Sequence, residues 1–230
     1  MKISGTKVVV IGAGMVGASI AFSLTLQGIC SKVVLVDVNK EKALGEVLDI
    51  QHSIEYLNRN VRIKAGDYSD CSDADVVIIT ASVSMAGLKD RLEMLDKNIG
   101  IMNHISDSIM ASGFDGQIVV VSNPVDVLSY HVYKRTGLPK EQVIGTGTAL
   151  ETARLKQIIS QIMRIDPRSI QAYAMGEHGD SMMVPWSHVR VAGKPLDHVM
   201  EDNPDKFKDI DLDQLVEKTA TAGFEVLKRK

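Results

Sequence analysis

A glycine-flanked loop around a histidine is the first part of the sequence that could carry out chemistry. The loop Gly176–Asp180 reads GEHGD, and histidine is the side chain best suited to gain and lose a proton near neutral pH. On a predicted helix upstream, Glu151 and Arg154 stand three residues apart, so both side chains project from one face. An arginine there can hold a carboxylate through two parallel hydrogen bonds, and an acid can orient an imidazole and stabilise its charged form. Taken singly, a surface histidine and a solvated helix pair also explain these residues.

A second motif has the residue types that bind a dinucleotide. The segment Gly12–Gly17 reads GAGMVG and lies between an apolar run and a helical pattern. Its glycines permit a tight turn, backbone approach to a pyrophosphate, and close packing of helix on strand, while the helix N-terminus attracts phosphates. Asp37 ends the next strand, twenty residues after Gly17, where its carboxylate can accept from both ribose hydroxyls and would repel a 2′-phosphate. These residues predict a site for NAD rather than NADP; the alternative is a glycine-rich turn followed by an exposed aspartate.

Short runs rich in valine and isoleucine alternate with helical patterns over the first 150 residues. Such runs are typical of parallel strands buried on both faces. They are Lys7–Ile11, Val33–Val36, Val76–Thr80, Ile118–Ser122 and Val143–Gly145. Helices are predicted over Ala18–Leu26 and, from apolar residues at steps of three and four, over Arg91–Met110. The alternation predicts an α/β domain with a Rossmann-type, doubly wound parallel sheet.

The pattern changes after about residue 150. The predicted elements are the helix Thr152–Met163, the strands Ile170–Met175 and Ser187–Val191, and a helix that runs to the C-terminus. We therefore expect a Rossmann domain over residues 1–147 and a second α+β domain over residues 148–230, too small to close its own core.

The composition excludes several classes of protein. Of the 230 residues, 45% are hydrophobic and 24% charged, with a formal net charge of −3, which is typical of globular domains and not of disordered, collagen-like or multi-pass membrane proteins. Dispersed basic residues and 4% aromatic residues do not favour nucleic-acid binding, and the charge balance does not favour a membrane surface. Cys30 and Cys71 are too few for a disulfide framework, so we predict a reduced, cytoplasmic protein. No metal site is predicted.

Together these motifs resemble the lactate/malate dehydrogenase family, in particular its L-lactate and L-2-hydroxyisocaproate dehydrogenases. Three further segments carry the resemblance, and the five motifs occur in order along almost the whole chain. The three are Val121–Asp126 (VSNPVD), Ile144–Thr148 (IGTGT) and Leu150–Arg154 (LETAR). The resemblance implies NAD as the cofactor, a small 2-oxo or 2-hydroxy carboxylic acid as the substrate, and a homodimer or homotetramer.

The resemblance also implies a role for each residue that matches a family motif. His178 matches the proton donor and acceptor, Glu151 its carboxylate partner, and Arg91 a mobile-loop arginine that polarises the substrate carbonyl. Arg154 matches the arginine that clamps the substrate carboxylate, and Asn123 a residue at the nicotinamide end that helps to bind substrate or cofactor. The other implied cofactor contacts are Gly12, Gly14, Met15, Val16, Gly17, Asp37, Thr80, Ala81, Asn98 and Val121.

Glu151 departs from the family pattern, in which the partner of the histidine is an aspartate. A helix shift or another rotamer must absorb the extra methylene, and a misplacement of about 1 Å can cost roughly 100-fold in rate. We expect lowered activity from this feature, and a gain in turnover from Glu151→Asp.

Met85 is a second departure, six residues before Arg91, where lactate enzymes carry glutamine and malate enzymes arginine. Without a cation there, the distal carboxylate of oxaloacetate would be buried unpaired, whereas methionine offers a flexible apolar wall. Met85 therefore favours 2-oxo acids with apolar side chains, such as 2-oxoisocaproate, and malate remains the alternative substrate.

Two further departures concern regulation and length. Lys156 and Gln171 stand where lactate dehydrogenases activated by sugar bisphosphates have arginine and histidine, so we expect no such activation. The chain stops at Lys230, before the segment that in relatives supplies a threonine or serine to the substrate pocket, and we expect the C-terminal quarter of a family member to be absent. Two functions stay open: an active NAD-dependent 2-hydroxy-acid dehydrogenase, or a catalytically impaired NAD-binding module that acts as a sensor or assembly partner.

Overall fold

The chain folds into two compact units, Met1–Gly145 and Thr146–Lys230. A computed structural model describes residues 5–83 and 91–229, without the side chains of residues 91–94, 224 and 227. None of the helices in these ranges is both long and apolar enough to cross a lipid bilayer.

The first unit is built on a six-stranded parallel sheet. Its strands are β1 (Lys7–Ile11), β2 (Lys32–Val36), β3 (Arg62–Ala65), β4 (Val76–Ile79), β5 (Gln117–Val120) and β6 (Val143–Gly145). They lie in the order β3-β2-β1-β4-β5-β6, and every neighbouring pair is parallel. The main helices are α1 (Met15–Gln27), α2 (Lys40–Ser53), α3 (Arg91–Ala111) and α4 (Val125–Thr136). The order reverses between β1 and β4, and the loops after these two strands meet at the switch point where open α/β sheets bind ligands.

Alternate residues of the central strands belong to two separate apolar clusters. Val8 and Val10 pack in a cluster with α1 and α2, whereas Val9 and Ile11 pack in one with α3 and α4. Because side chains alternate along a strand, the helices cover both faces of the sheet. The predicted doubly wound Rossmann-type fold is confirmed.

One strand, β3 at the edge of the sheet, was not predicted from the sequence. Its residues read RIKA, and only Ile63 is deeply buried, so the segment lacks the continuous apolar run that identified the inner strands. Pairing with β2 alone and the exposure of Arg62 and Lys64 explain why charged residues are tolerated there.

Both cysteines are unpaired and lie within the two clusters of the first unit. Burial raises the pKa of the Cys71 thiol to about 12, and it also raises the pKa of Cys30. Both side chains therefore stay protonated near neutral pH and are poor nucleophiles.

The second unit combines four helices with a small antiparallel sheet. The helices are α5 (Ala149–Met163), α6 (Leu196–Asp202), α7 (Pro204–Phe207) and α8 (Leu212–Leu227), and the strands are β7 (Ile170–Gln171), β8 (Arg190–Val191) and β9 (Lys194–Pro195). Buried residues of α5, the sheet and α6 form an apolar cluster of their own. The second unit therefore contains a core, and that it is too small to close this core stays a prediction.

Both predicted strands of the second unit are shorter than the sequence suggested. The segment predicted as Ile170–Met175 pairs regularly only as far as Gln171, and the segment predicted from Ser187 becomes regular only at Arg190, because Trp186–His188 forms a 3-10 turn. Beyond these short ladders, backbone groups of the two segments form hydrogen bonds outside regular strand pairing, as in the bonds of Ala174 and the turn at Trp186–His188.

Candidate active site

The three glycines of the Gly12–Gly17 loop have three different structural roles. Gly12 has a φ of +106°, and a Cβ on it would lie 2.8 Å from the Thr80 hydroxyl. A Cβ on Gly17 would lie 1.7 Å from the carbonyl oxygen of Gly12, so only glycine lets α1 approach the loop so closely. A Cβ on Gly14 would meet no atom within 4 Å. This open position, at the start of α1, is where backbone N–H groups can face a pyrophosphate.

Alanine at Gly14 and at Gly17 should therefore have opposite consequences. Gly17→Ala should lower the melting temperature by several degrees, because the methyl group must push α1 away from the sheet at a cost of about 1–3 kcal/mol. Gly14→Ala should leave the melting temperature unchanged but weaken NADH binding, because its φ of −73° suits alanine and the methyl group fills the open space. Thermal unfolding and NADH fluorescence titration measure the two effects. Unaltered NADH affinity in Gly14→Ala would contradict the assignment of this loop to the cofactor.

Asp37 is held at the end of β2 by the Gly12–Gly17 loop, which we call the fingerprint loop. Its Oδ2 accepts a hydrogen bond from the backbone N–H of Ala13 at 2.6 Å, and its Oδ1 accepts from that of Asn39 at 2.8 Å. The carboxylate is half-buried, and Met15 and Val16 are exposed at the start of α1. The structure thus brings the loop predicted to bind the pyrophosphate and the aspartate predicted to bind the ribose together at the carboxyl ends of β1 and β2.

The loops after β4 and β5 carry the other predicted cofactor residues. The Thr80 hydroxyl lies within hydrogen-bond distance of two carbonyls, of Ile11 at 3.0 Å and of Gly12 at 3.1 Å. The Ser122 hydroxyl donates to the carbonyl of Ala81 at 2.7 Å. Thr80 and Ala81 therefore lie beside the fingerprint loop, and Val121 follows β5 directly.

Asn98 of α3 ties these two loops to one helix. It is fully buried, its Oδ1 accepts from the backbone N–H of Val83 at 2.9 Å, and its Nδ2 donates to the carbonyl of Asn123 at 3.1 Å. Asn123 itself is exposed. The contact of Asn98 with the cofactor remains a prediction, and the structure gives its amide this additional role in holding the loops.

Two predicted site residues cannot be placed. Arg91 is the first residue of α3, but its side chain is not described, and Met85 lies outside the described residues. Among the side chains that are described, no three histidine, cysteine, aspartate or glutamate groups converge as metal ligands.

In the second unit, Glu151 joins the histidine and the arginine of the sequence prediction. Its Oε2 lies 2.9 Å from Nδ1 of His178, and its Oε1 accepts from Nη1 of Arg154 at 2.9 Å. Glu151 is 3% exposed, and a buried carboxylate needs such partners. The three residues form one hydrogen-bonded group that can orient an imidazole and stabilise its charge while presenting a guanidinium.

The loop that carries His178 is closed by a pair of backbone hydrogen bonds. Met175 and Met183 each donate to the other's carbonyl at 2.8 Å, and Gly176 turns the chain with a φ of +95°. His178 therefore lies at the tip of a short closed loop, where its side chain remains 24% exposed.

The geometry removes the reason for expecting a misaligned glutamate. A carboxylate that contacts both partners at 2.9 Å has absorbed its extra methylene. The expected gain from Glu151→Asp therefore no longer follows.

We now expect Glu151→Asp to lower turnover. The shorter side chain withdraws the carboxylate by about 1.5 Å, so that it can reach only one of its two partners, and a displacement of that size can cost about 100-fold in rate. Steady-state turnover with NADH and a 2-oxo acid measures the effect, with Glu201→Asp at an exposed glutamate of α6 as the control. Higher turnover in Glu151→Asp would restore the original expectation, and unchanged turnover would contradict both expectations.

Gly223, which was not predicted from the sequence, lies against the predicted site residue Arg154. A Cβ on it would lie 3.1 Å from Nη2 of Arg154, so this glycine of α8 leaves room for the guanidinium. The available signal was its position, since glycine inside a helix costs about 1 kcal/mol relative to alanine and usually has a packing or functional reason.

Comparison with known families covers nearly the whole chain. Residues 6–145 match the NAD binding domain model of lactate/malate dehydrogenase, and residues 148–230 match the alpha/beta C-terminal domain model of the same enzymes. The chain belongs to the lactate/malate dehydrogenase family. In this family member, the fingerprint loop, Asp37 and the loops after β4 and β5 lie within the NAD-binding match, so the cofactor is NAD.

Relatives of this lactate/malate dehydrogenase family member include both curated sequences and solved structures. L-lactate dehydrogenase 3 of Bacillus cereus is 48% identical over all of this chain and 73% of its own length. L-lactate dehydrogenase 1 of Bifidobacterium longum is 46% identical over 97% of this chain and 71% of its own. The crystal structure of a lactate dehydrogenase from a Medee basin deep-sea metagenome library superposes with a TM-score of 0.94 at 44% identity, covering 99% of this chain and 72% of that one.

Proposed function

We propose that this chain is an NAD-dependent L-2-hydroxy-acid dehydrogenase that interconverts small 2-oxo acids and L-2-hydroxy acids with apolar side chains. Family membership supports the hydride-transfer chemistry, and relatives named L-lactate dehydrogenase support the L-lactate type. The observation that carries the proposal is the buried Glu151 carboxylate hydrogen-bonded to both His178 and Arg154. The units are proposed to act as an NAD-binding domain, residues 1–147, and a substrate domain, residues 148–230.

The residues around the fingerprint loop fit a dinucleotide. The open position at Gly14 and the N-terminus of α1 would hold the pyrophosphate, and Asp37 would accept hydrogen bonds from the ribose. Val121, Asn123 and the loop after β4 would line the nicotinamide end. When bound, NADH supplies the hydride, and the protein contributes orientation and charge.

His178 is proposed as the proton donor to the substrate carbonyl. Because a carboxylate oxygen can only accept, the Nδ1–H of His178 donates to Glu151, which fixes the orientation and the tautomer of the ring. The Nε2 atom then holds the proton that passes to the carbonyl oxygen as the alkoxide forms. In the reverse direction the same nitrogen accepts the proton of the hydroxyl group.

Arg154 is proposed to bind the substrate carboxylate. Its Nη1 is oriented by Glu151, and a guanidinium carries five N–H donors in a rigid fork that matches a carboxylate. Arg91 is proposed to polarise the carbonyl. Met85 is proposed to form the apolar wall that favours 2-oxoisocaproate over oxaloacetate.

Parallel assays of NADH consumption with pyruvate, 2-oxoisocaproate and oxaloacetate test the proposal on the 230-residue chain. We expect the fastest turnover with 2-oxoisocaproate, and turnover with oxaloacetate that is equal or faster would overturn the apolar preference. If NADH binds but none of the acids is reduced, the chain is instead an NAD-binding module of sensor or assembly type.

Regulation by a sugar bisphosphate is not part of the proposal. The two positions at which sugar-bisphosphate-activated lactate dehydrogenases have arginine and histidine hold Lys156 and Gln171 in this chain. The ammonium of Lys156 lies over the ring of Tyr173, 5.8 Å from its centroid, and Gln171 lies in β7. Added fructose bisphosphate should leave kcat/KM for the 2-oxo acid unchanged. Activation in the same assay would show that Lys156 suffices for the anion.

A homodimer or homotetramer in the cytoplasm completes the proposal. Within the first unit, α1 exposes Phe22 and Leu26, and α2 exposes Leu44 and Leu48; apolar surface of this kind is typical of protein interfaces. The unpaired buried thiols suit a reducing compartment. Sedimentation equilibrium of the chain and of Leu48→Glu tests the assembly, which the charged residue should weaken.

A further inference from the structure

Thr148, the residue that precedes α5, and Thr152 in its first turn hold both backbone polar groups of Ala174. The Thr148 hydroxyl donates to the carbonyl of Ala174 at 2.6 Å, and the N–H of Ala174 donates to the Thr152 hydroxyl oxygen at 2.9 Å. The two threonines stand four residues apart at the beginning of α5, so their side chains project from the same face. We call this arrangement the threonine clamp.

The clamp replaces strand pairing at the point where the β7 ladder ends. Regular pairing stops at Gln171, yet Ala174 is only 4% exposed. A buried backbone group without a partner is destabilising, and the hydroxyls of Thr148 and Thr152 supply partners for both groups of Ala174. Because these partners lie at the beginning of α5, the segment is fixed to the helix rather than to the sheet.

The elements that the clamp joins are the ones that carry the catalytic pair. Glu151 lies between Thr148 and Thr152 in α5, and His178 follows Ala174 by four residues. The Met175–Met183 hydrogen bonds close the His178 loop immediately after the clamped residue. A displacement of Ala174 along α5 would therefore also displace His178 relative to Glu151 and change their 2.9 Å contact.

We propose that Thr148 and Thr152 are positioning residues that set the register between Glu151 and His178. This inference rests on the proposed dehydrogenase function. Neither hydroxyl is assigned a contact with substrate or cofactor; both act through the backbone of Ala174.

Thr152→Val removes the hydroxyl at nearly constant volume and is the main test. It should lower kcat for the 2-oxo acid by about 10- to 100-fold and leave the KM for NADH unchanged, and Thr152→Ser should restore most of the turnover. Thr136→Val in α4 is the matched control, since that buried hydroxyl donates to Val132 of its own helix. Thr148→Val is the milder second variant, because the Ala174 carbonyl also lies 3.5 Å from the Thr152 hydroxyl.

A second readout does not depend on turnover. The His178 Nδ1–H that donates to Glu151 should give a downfield proton resonance, identified by its loss in His178→Gln. We expect this resonance to shift or broaden in Thr152→Val, or in Thr148→Val if Thr152→Val does not fold, and to return in Thr152→Ser.

The outcomes separate the clamp from the proposed function. If the valine variants lose stability as Thr136→Val does, while kcat and the resonance stay as in the wild type, the threonines are only structural and the proposal is overturned. If the wild type has no turnover, the proposed function fails, and the resonance alone decides the clamp: a shift supports it and an unchanged signal overturns it.

Discussion

Replacing His178 by glutamine should lower kcat by about 100- to 10,000-fold, the range over which a positioned acid or base accelerates a reaction. Glutamine keeps a polar group near Glu151 but has no proton to give at neutral pH. NADH binding should be retained, because the fingerprint loop and Asp37 belong to the first unit. Steady-state turnover with pyruvate or 2-oxoisocaproate and an NADH fluorescence titration measure the two quantities.

His188→Gln provides a matched control for this prediction. His188 is exposed, and its Nδ1 lies 3.1 Å from the hydroxyl of Ser187, so its replacement should not change kcat. Turnover of His178→Gln within a few-fold of the wild type would remove His178 from the mechanism. It would also leave the Glu151–Arg154 pair as a structural ion pair.

Replacing Arg154 by glutamine should raise the KM for the 2-oxo acid and lower kcat/KM by about 30- to 4,000-fold. Loss of one partner of a buried charge pair costs about 2–5 kcal/mol, and a tenfold change corresponds to about 1.4 kcal/mol. The loss has two parts, because Arg154 both binds the substrate carboxylate and donates to the 3%-exposed Glu151. Arg154→Lys should recover only a part, since lysine keeps the charge without the planar fork.

Gly223→Ala should also raise the KM for the 2-oxo acid and lower kcat/KM, but by a smaller factor than Arg154→Gln. Its methyl group would lie 3.1 Å from Nη2 of Arg154, so that the guanidinium must move by a few tenths of an ångström. Gly45→Ala is the control, because a Cβ at that position of α2 meets no atom within 4 Å. If Arg154→Gln leaves the KM for the 2-oxo acid unchanged, Arg154 is not the carboxylate ligand.

The sequence by itself determined the parts of this protein that depend on local patterns. Apolar runs predicted five of the six parallel strands, because a strand buried on both faces is made mostly of apolar residues. The fingerprint Gly12–Gly17 was recognisable because each glycine answers a local steric need that the structure shows as a close contact or an open position. His178 stood out because a histidine in a glycine-flanked loop is suited to gain and lose a proton near neutral pH.

The tertiary structure decided what depends on distances between segments. The sequence could place Glu151 and His178 on different elements, but only the fold shows that the longer glutamate reaches the ring at 2.9 Å. The sequence predicted a strand as far as Met175, whereas the backbone of Ala174 is hydrogen-bonded by two threonines at the beginning of α5. Gly223 acquires its role from the side chain of Arg154, and Asn98 acquires its structural role from the backbone of Val83 and Asn123, all remote in sequence. Local patterns carry propensities, and hydrogen bonds between remote residues are set by the packed core that brings those residues together.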